Sequence, residues 1–92
     1  MGKYLVKLES SAVKEILAIK KSGDKASIIR LEKIIKELSE HPFEGIGKPE
    51  ALKYELSGYW SRRINSKDRL IYKVFEEKVL VVIISAKGHY LK

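Results

Sequence analysis

Glu50, Arg69 and His89 are the residues of this 92-residue chain whose side chains could be combined into a reaction. A carboxylate can take up a proton, a guanidinium can neutralise a developing oxyanion, and an imidazole can deliver a proton to a leaving group. Those three acts suffice to cut RNA, which carries its own nucleophile in the 2′-hydroxyl beside the scissile phosphate. The base removes that proton, the cation stabilises the phosphorane-like transition state, and the acid protonates the departing 5′-oxygen. No metal ion or covalent intermediate is needed. Arg63 is a second candidate for the charge-stabilising role. Arginine suits it because its planar donors match phosphate oxygens and its charge persists at any relevant pH. An unperturbed imidazole, with a pKa near ~6.5, can hold or release a proton around neutrality.

Each residue also has a plainer role open to it. Glu50 could be a solvated loop residue, and Arg69, beside Asp68, half of a surface ion pair. Arg62 and Arg63 could both be exposed strand residues. Adjacent strand residues point to opposite faces, so at most one of the two serves a given site. His41 precedes Pro42 and reads as a helix-end residue, while Tyr59, Trp60 and Tyr72 read as core before base-stacking platforms.

Composition narrows the classes. A formal net charge of +7 and a pI near 9.6 favour a polyanionic partner. The chain contains no cysteine, which excludes thiol catalysis, disulfide scaffolds and thiolate zinc sites. No His/Asp/Glu cluster has metal-ligand spacing, and the Gly45/Gly47/Lys48 loop lacks the Gly-Lys-Ser/Thr ending of a phosphate-binding P-loop. No cofactor is expected. No apolar run approaches the ~20 residues of a membrane span, and a cytosolic protein with no membrane partner is expected.

The elements that must position these residues form one domain over residues 1–92. Tyr4-Leu5-Val6-Lys7-Leu8 reads as a short strand with Tyr4, Val6 and Leu8 on one face. Ser10 or Ser11 is a candidate cap for a helix with Val13, Ile16 and Leu17 as its apolar stripe, ending near Ser22-Gly23. Asp24 is a candidate N-cap of a second helix whose Ile28, Leu31, Ile34, Ile35 and Leu38 recur at helical spacing. Pro42 stops that helix around Ser39 or Glu40. After the Gly- and Pro-punctuated loop from Phe43 to Glu50, Leu52–Leu56, Tyr59–Ile64, Arg69–Phe75 and Val79–Ile84 read as strands. The last is continuously apolar and predicts a mid-sheet strand buried on both faces. The order β-α-α-β-β-β-β predicts an α+β domain, with two helices packed on one face of a mainly antiparallel sheet.

The runs Pro42-Phe43-Glu44-Gly45, Gly47-Lys48-Pro49-Glu50, Leu56-Ser57-Gly58-Tyr59-Trp60-Ser61-Arg62-Arg63-Ile64, Arg69-Leu70-Ile71-Tyr72 and His89-Tyr90 follow one another in a fixed order. They closely resemble the Txe/YoeB family of bacterial toxins, within the RelE-like group of type II toxin–antitoxin systems. The resemblance is dense over residues 41–90, whereas residues 1–40 share only the layout of a strand and two helices. It implies a RelE-like fold and a ribosome-dependent, metal-independent mRNA endonuclease that cuts the codon in the A site and so inhibits translation. It also implies a cognate antitoxin as partner, the ribosome and mRNA as targets, and a possible homodimer. By position, Glu50 matches the family's general base, His89 its general acid and Arg69 its transition-state arginine. Lys48, Lys53, Arg63 and Tyr90 match supporting positions that contact RNA or shape the pocket. Two features depart from the pattern: Leu91-Lys92 follow Tyr90, and Lys87 stands where members often have arginine. The alternative function is a non-catalytic ribosome- or RNA-binding protein of the same fold.

Overall fold

The computed structural model describes residues 3–86. Among them the chain forms β1 (Leu5–Leu8), α1 (Ser10–Lys21), α2 (Lys25–Leu38), β2 (Glu50–Ala51), β3 (Tyr59–Arg63), β4 (Arg69–Phe75) and β5 (Leu80–Ser85). The sheet order is β1-β5-β4-β3-β2. β1 runs parallel to β5, and the other three pairings are antiparallel. Both helices bury residues against one face, where Ala12, Ile16, Leu31, Ile34 and Leu38 meet Leu70, Tyr72, Val81 and Ile83. The expected architecture and element order are therefore present.

Local chemistry explains most boundaries. The Asp24 carboxylate accepts hydrogen bonds from the Ser27 amide (3.2 Å) and hydroxyl (2.7 Å), which caps α2. Those bonds hold the Asp24 carboxyl below its ordinary pKa, the hydroxyl contact contributing most. Ser39 sits at the C-cap of α2 and its carbonyl accepts the amides of Lys3 and Tyr4, so the end of α2 ties down the start of the chain. β4 covers the expected residues, and the turn before it is held by the Asn65 side-chain oxygen Oδ1, which accepts the amides of Lys67 and Asp68.

Four details differ from the sequence reading. The buried stripe of α1 is Ala12, Ile16 and the half-buried Ile19, while Val13 and Leu17 are 40% and 49% exposed. The small Ala12 lets the helix lie close to the sheet at that turn. Neither serine caps α1: Glu9 occupies the N-cap without a side-chain bond, and the Ser11 hydroxyl donates to the Ile84 carbonyl. Leu52–Leu56 is not a strand. After Ala51 a single further bond, from the Leu52 amide to the Tyr59 carbonyl, leads into a 3₁₀ turn over Tyr54–Leu56 with Tyr54 at φ 58°. Short alternation cannot distinguish that turn from a strand. Finally, Val79 is a left-handed turn residue, and β5 is fully buried only at Val81 and Ile83, with Leu80, Val82 and Ile84 half-buried on the face away from the helices.

Replacing Asp24 by Ala should lower the melting temperature at pH 7. A depressed folded-state pKa adds stability above the unfolded value and loses it as pH falls through the folded one. The gap between wild type and variant should therefore narrow in acid, as thermal melts across that range would show.

Candidate active site

Strand alternation divides the sheet into two chemically different faces. On β3, Trp60 and Arg62 point toward the helices, and Ser61 and Arg63 point away. The register pairs Glu50 with Ser61, Ser61 with Ile71, and Arg63 with Arg69, so all of these lie on the face away from the helices. There a Glu50 carboxylate oxygen lies 3.9 Å from an Arg69 guanidinium nitrogen. Glu50 is 62% exposed and Arg69 only 26%, so the arginine is held in place and the carboxylate is presented to solvent. Arg63 and Arg69 stand directly opposite each other across the two strands, an arrangement of like charges that disfavours pairing on its own. An anion lying over the pair would relieve that repulsion. Four residues along each strand, the Lys73 ammonium sits 5.3 Å from the ring centres of both Tyr59 and Phe75, extending the basic character of the face.

Glu50 reaches this position through a loop that is held from beneath. Arg62 is completely buried and uses all of its guanidinium donors. One terminal nitrogen donates to a Glu37 carboxylate oxygen (2.8 Å) and to the Ile46 carbonyl (3.4 Å). The other donates to the carbonyls of His41 and Glu44, and Nε donates to the Tyr72 hydroxyl. Tyr72 in turn donates to the Pro42 carbonyl (2.7 Å). Burial pushes the Tyr72 phenol above its ordinary pKa, against the lowering influence of Arg62. The same Glu37 oxygen also accepts the Ile46 amide (3.0 Å). The loop from His41 to Ile46 is thus gripped at four carbonyls and one amide. Two glycines make the fit possible. A Cβ at Gly45 would lie 2.0 Å from that Glu37 oxygen, and one at Gly47 would lie 2.9 Å from the Arg63 carbonyl. Both also have positive φ, which side-chain-bearing residues avoid.

The supporting candidates fall at different distances from this centre. Lys48, in a left-handed conformation, and Lys53 are both exposed and flank β2 along the chain. His41 is exposed at the end of α2, and its Nδ1 lies 3.8 Å from a Glu44 carboxylate oxygen, as expected of a helix-end residue. His89 and Tyr90, like Lys87, Leu91 and Lys92, lie outside the described residues. Residue types missed by sequence reasoning are Arg62 and Ser61. Arg62 shares parity with Trp60 and Ile64, and that apolar company was the available signal. The Ser61 hydroxyl, next to Glu50 in the register, is buried without a hydrogen-bond partner among the described residues. No group of His, Cys, Asp and Glu among the described residues is arranged to hold a metal ion.

A sequence profile of the YoeB-like toxins of bacterial type II toxin–antitoxin systems matches residues 9–90. The chain belongs to that family. It is similar to Toxin YoeB of Synechocystis, with 52% identity over 68 residues, covering 74% of this chain and 77% of that protein. Its fold is similar to that of the YoeB/ParE toxin from Agrobacterium tumefaciens, with a TM-score of 0.84, 29% identity, and 94% and 99% of the two chains covered. It is also similar to YoeB from Staphylococcus aureus, solved as a heterotetrameric complex with YefM (TM-score 0.77, 34% identity, 95% and 98% covered). The same toxin solved as a dimer gives a TM-score of 0.79 at 34% identity, with 96% and 99% covered. This chain is therefore a YoeB-family toxin of a type II toxin–antitoxin system.

The opposed roles of the two adjacent arginines give a direct test. Arg62→Ala should destabilise the fold by about 3 kcal/mol in chemical denaturation, the lower end of the range for breaking a buried ion pair. The lower end applies because the Glu37 side chain is 33% exposed. Arg63→Ala should change stability by less than ~0.5 kcal/mol, as for other exposed surface substitutions.

Proposed function

We propose that this YoeB toxin is a ribosome-dependent endoribonuclease that cuts mRNA in the A site without a metal ion. The observation that carries the reading is the Glu50 carboxylate 3.9 Å from Arg69, on an open sheet face where Arg63 and Lys73 add positive charge. Glu50 accepts the proton of the 2′-hydroxyl. The 2′-oxygen attacks phosphorus, and Arg69, seconded by Arg63, stabilises the negative charge on the phosphorane-like transition state. The bond from phosphorus to the 5′-oxygen breaks, and His89 protonates that oxygen. The products are a 2′,3′-cyclic phosphate and a 5′-hydroxyl. Because the substrate supplies the nucleophile, a base, a cation and an acid are sufficient. Lys48, Lys53 and Tyr90 contact the strand or shape the pocket.

The open face suits a polymer better than a small molecule, since Glu50 is exposed and not enclosed. The net charge of +7 suits docking against ribosomal RNA. The partners follow from the family: a cognate antitoxin that inactivates the toxin, and a second copy in a homodimer. The protein acts in the cytosol, where ribosomes are, and none of its described helices is long and apolar enough to cross a membrane.

Primer extension on a translated message is the test. Wild type should produce stops within A-site codons, and Glu50→Gln, Arg69→Ala and His89→Ala should each reduce them by at least about a hundredfold. A 2′-methoxy group at the cleaved nucleotide should abolish the stop. If the folded, antitoxin-free protein inhibits translation while leaving A-site codons intact, it acts as a binding protein without catalysis.

A further inference from the structure

We propose that Glu15, on α1, is a positioning residue that sets the path of the chain toward the catalytic acid. One Glu15 carboxylate oxygen accepts the Ala86 amide at 2.8 Å and the Ser85 hydroxyl at 3.1 Å. One turn earlier on the same helix, the Ser11 hydroxyl donates to the Ile84 carbonyl at 3.0 Å. Two α1 side chains therefore hold three consecutive residues at the C-terminal end of β5. The register with β4 ends at the pair Ile71–Ser85, beside a bulge, so the ladder gives Ala86 no further partner among the described residues. Ala86 is fully buried, and an unpaired amide there would be costly. A carboxylate acceptor makes the stronger, charge-assisted kind of hydrogen bond.

This contact bears on catalysis because of where it falls along the chain. His89 follows Ala86 by three residues, a span of at most about 11 Å even when fully extended. The direction in which the backbone leaves Ala86 thus limits where the imidazole can be placed. Glu15 itself belongs to the helix side of the sheet, whereas Glu50 and Arg69 occupy the opposite face. Among the described residues its hydrogen bonds reach the end of β5, at Ser85 and Ala86. The sequence reading of α1 assigned Glu15 no role, since a polar residue between apolar positions of an amphipathic helix is ordinarily a solvated one.

The inference rests on His89 being the acid, and the experiment separates the two ideas. Single-turnover cleavage of message on programmed ribosomes is measured for wild type, Glu15→Ala, Glu15→Gln, His89→Ala and the Glu15→Ala/His89→Ala pair. Glu15→Ala should slow cleavage about ten- to a hundredfold, the loss expected from misplacing a catalytic group by about 1 Å. The toxin concentration giving half-maximal rate should stay within about twofold, because the RNA-contacting face is untouched. Glu15→Gln, whose carbonyl oxygen can accept both bonds, should keep most of the rate. In the His89→Ala background, Glu15→Ala should cost nothing more, since a positioning residue has no effect once the group it positions is gone. An equal loss in both backgrounds would show a general effect on the fold and overturn the inference. So would a wild-type rate for Glu15→Ala, or a Glu15→Gln loss as large as that of Glu15→Ala. If His89→Ala alone cuts as fast as wild type, the assignment of the acid fails, and this inference fails with it. Should Glu15→Ala not fold, Ser85→Ala removes one of the two bonds and enters the same cycle, with a smaller loss expected and the same absence of effect beside His89→Ala.

Discussion

A guanidinium withdrawn from solvent needs a partner for every N–H, and Arg62 finds three of its five partners in one loop. The carbonyls of His41, Glu44 and Ile46, the Glu37 carboxylate and the Tyr72 hydroxyl together satisfy it. The dependence runs both ways. Were the loop to move, it would strand a buried charge; were the arginine lost, several carbonyls would face an apolar interior without donors. A segment rich in glycine and proline, which has little reason to prefer one conformation, is thereby given a single one. The glycines are themselves part of the constraint, because a side chain at Gly45 would collide with the Glu37 oxygen that completes the network. Glu50 emerges from this held loop onto the edge of the sheet. Its placement 3.9 Å from Arg69 is a consequence of interactions on the other side of β3.

Two successive arginines illustrate how strand geometry separates structure from function. Arg62 faces inward and organises the loop, while Arg63 faces outward and meets Arg69 across the register. The inward residue contributes stability. The outward pair withholds some, since opposed like charges weaken strand pairing. Sites that bind anions commonly accept such local cost, and a basic face of this kind suits a polyanionic partner. The remaining aromatic–lysine contacts along β4 continue the same basic face.

Much of the fold was legible because local and tertiary preferences coincide. α2 carries a helical apolar period and an aspartate cap, and both are realised. β4 is bounded by turn residues and matches the expected strand from end to end. α1 was misread in its inward face: Ala12 lies inward and Val13 outward, and where the helix comes close to the sheet is a matter of packing distance that sequence period does not encode. Leu52–Leu56 was misread because the chain leaves the sheet through a left-handed Tyr54, for which nothing local signals. At the site, Glu50, Arg69 and Arg63 were identified and the structure brings them together. Arg62 escaped because its role depends on a loop twenty residues away in sequence. Glu15 escaped for the same reason over a longer separation, its partners being at the far end of the chain.

The end groups of the cleaved message report most directly on whether Glu50 and Arg69 act on the RNA's own 2′-hydroxyl. Fragments from ribosomes treated with this toxin should carry a 2′,3′-cyclic phosphate on the upstream piece and a 5′-hydroxyl on the downstream one. Upstream fragments ending in a free 3′-hydroxyl, with 5′-phosphates downstream, would mean that water is the nucleophile and would contradict the account.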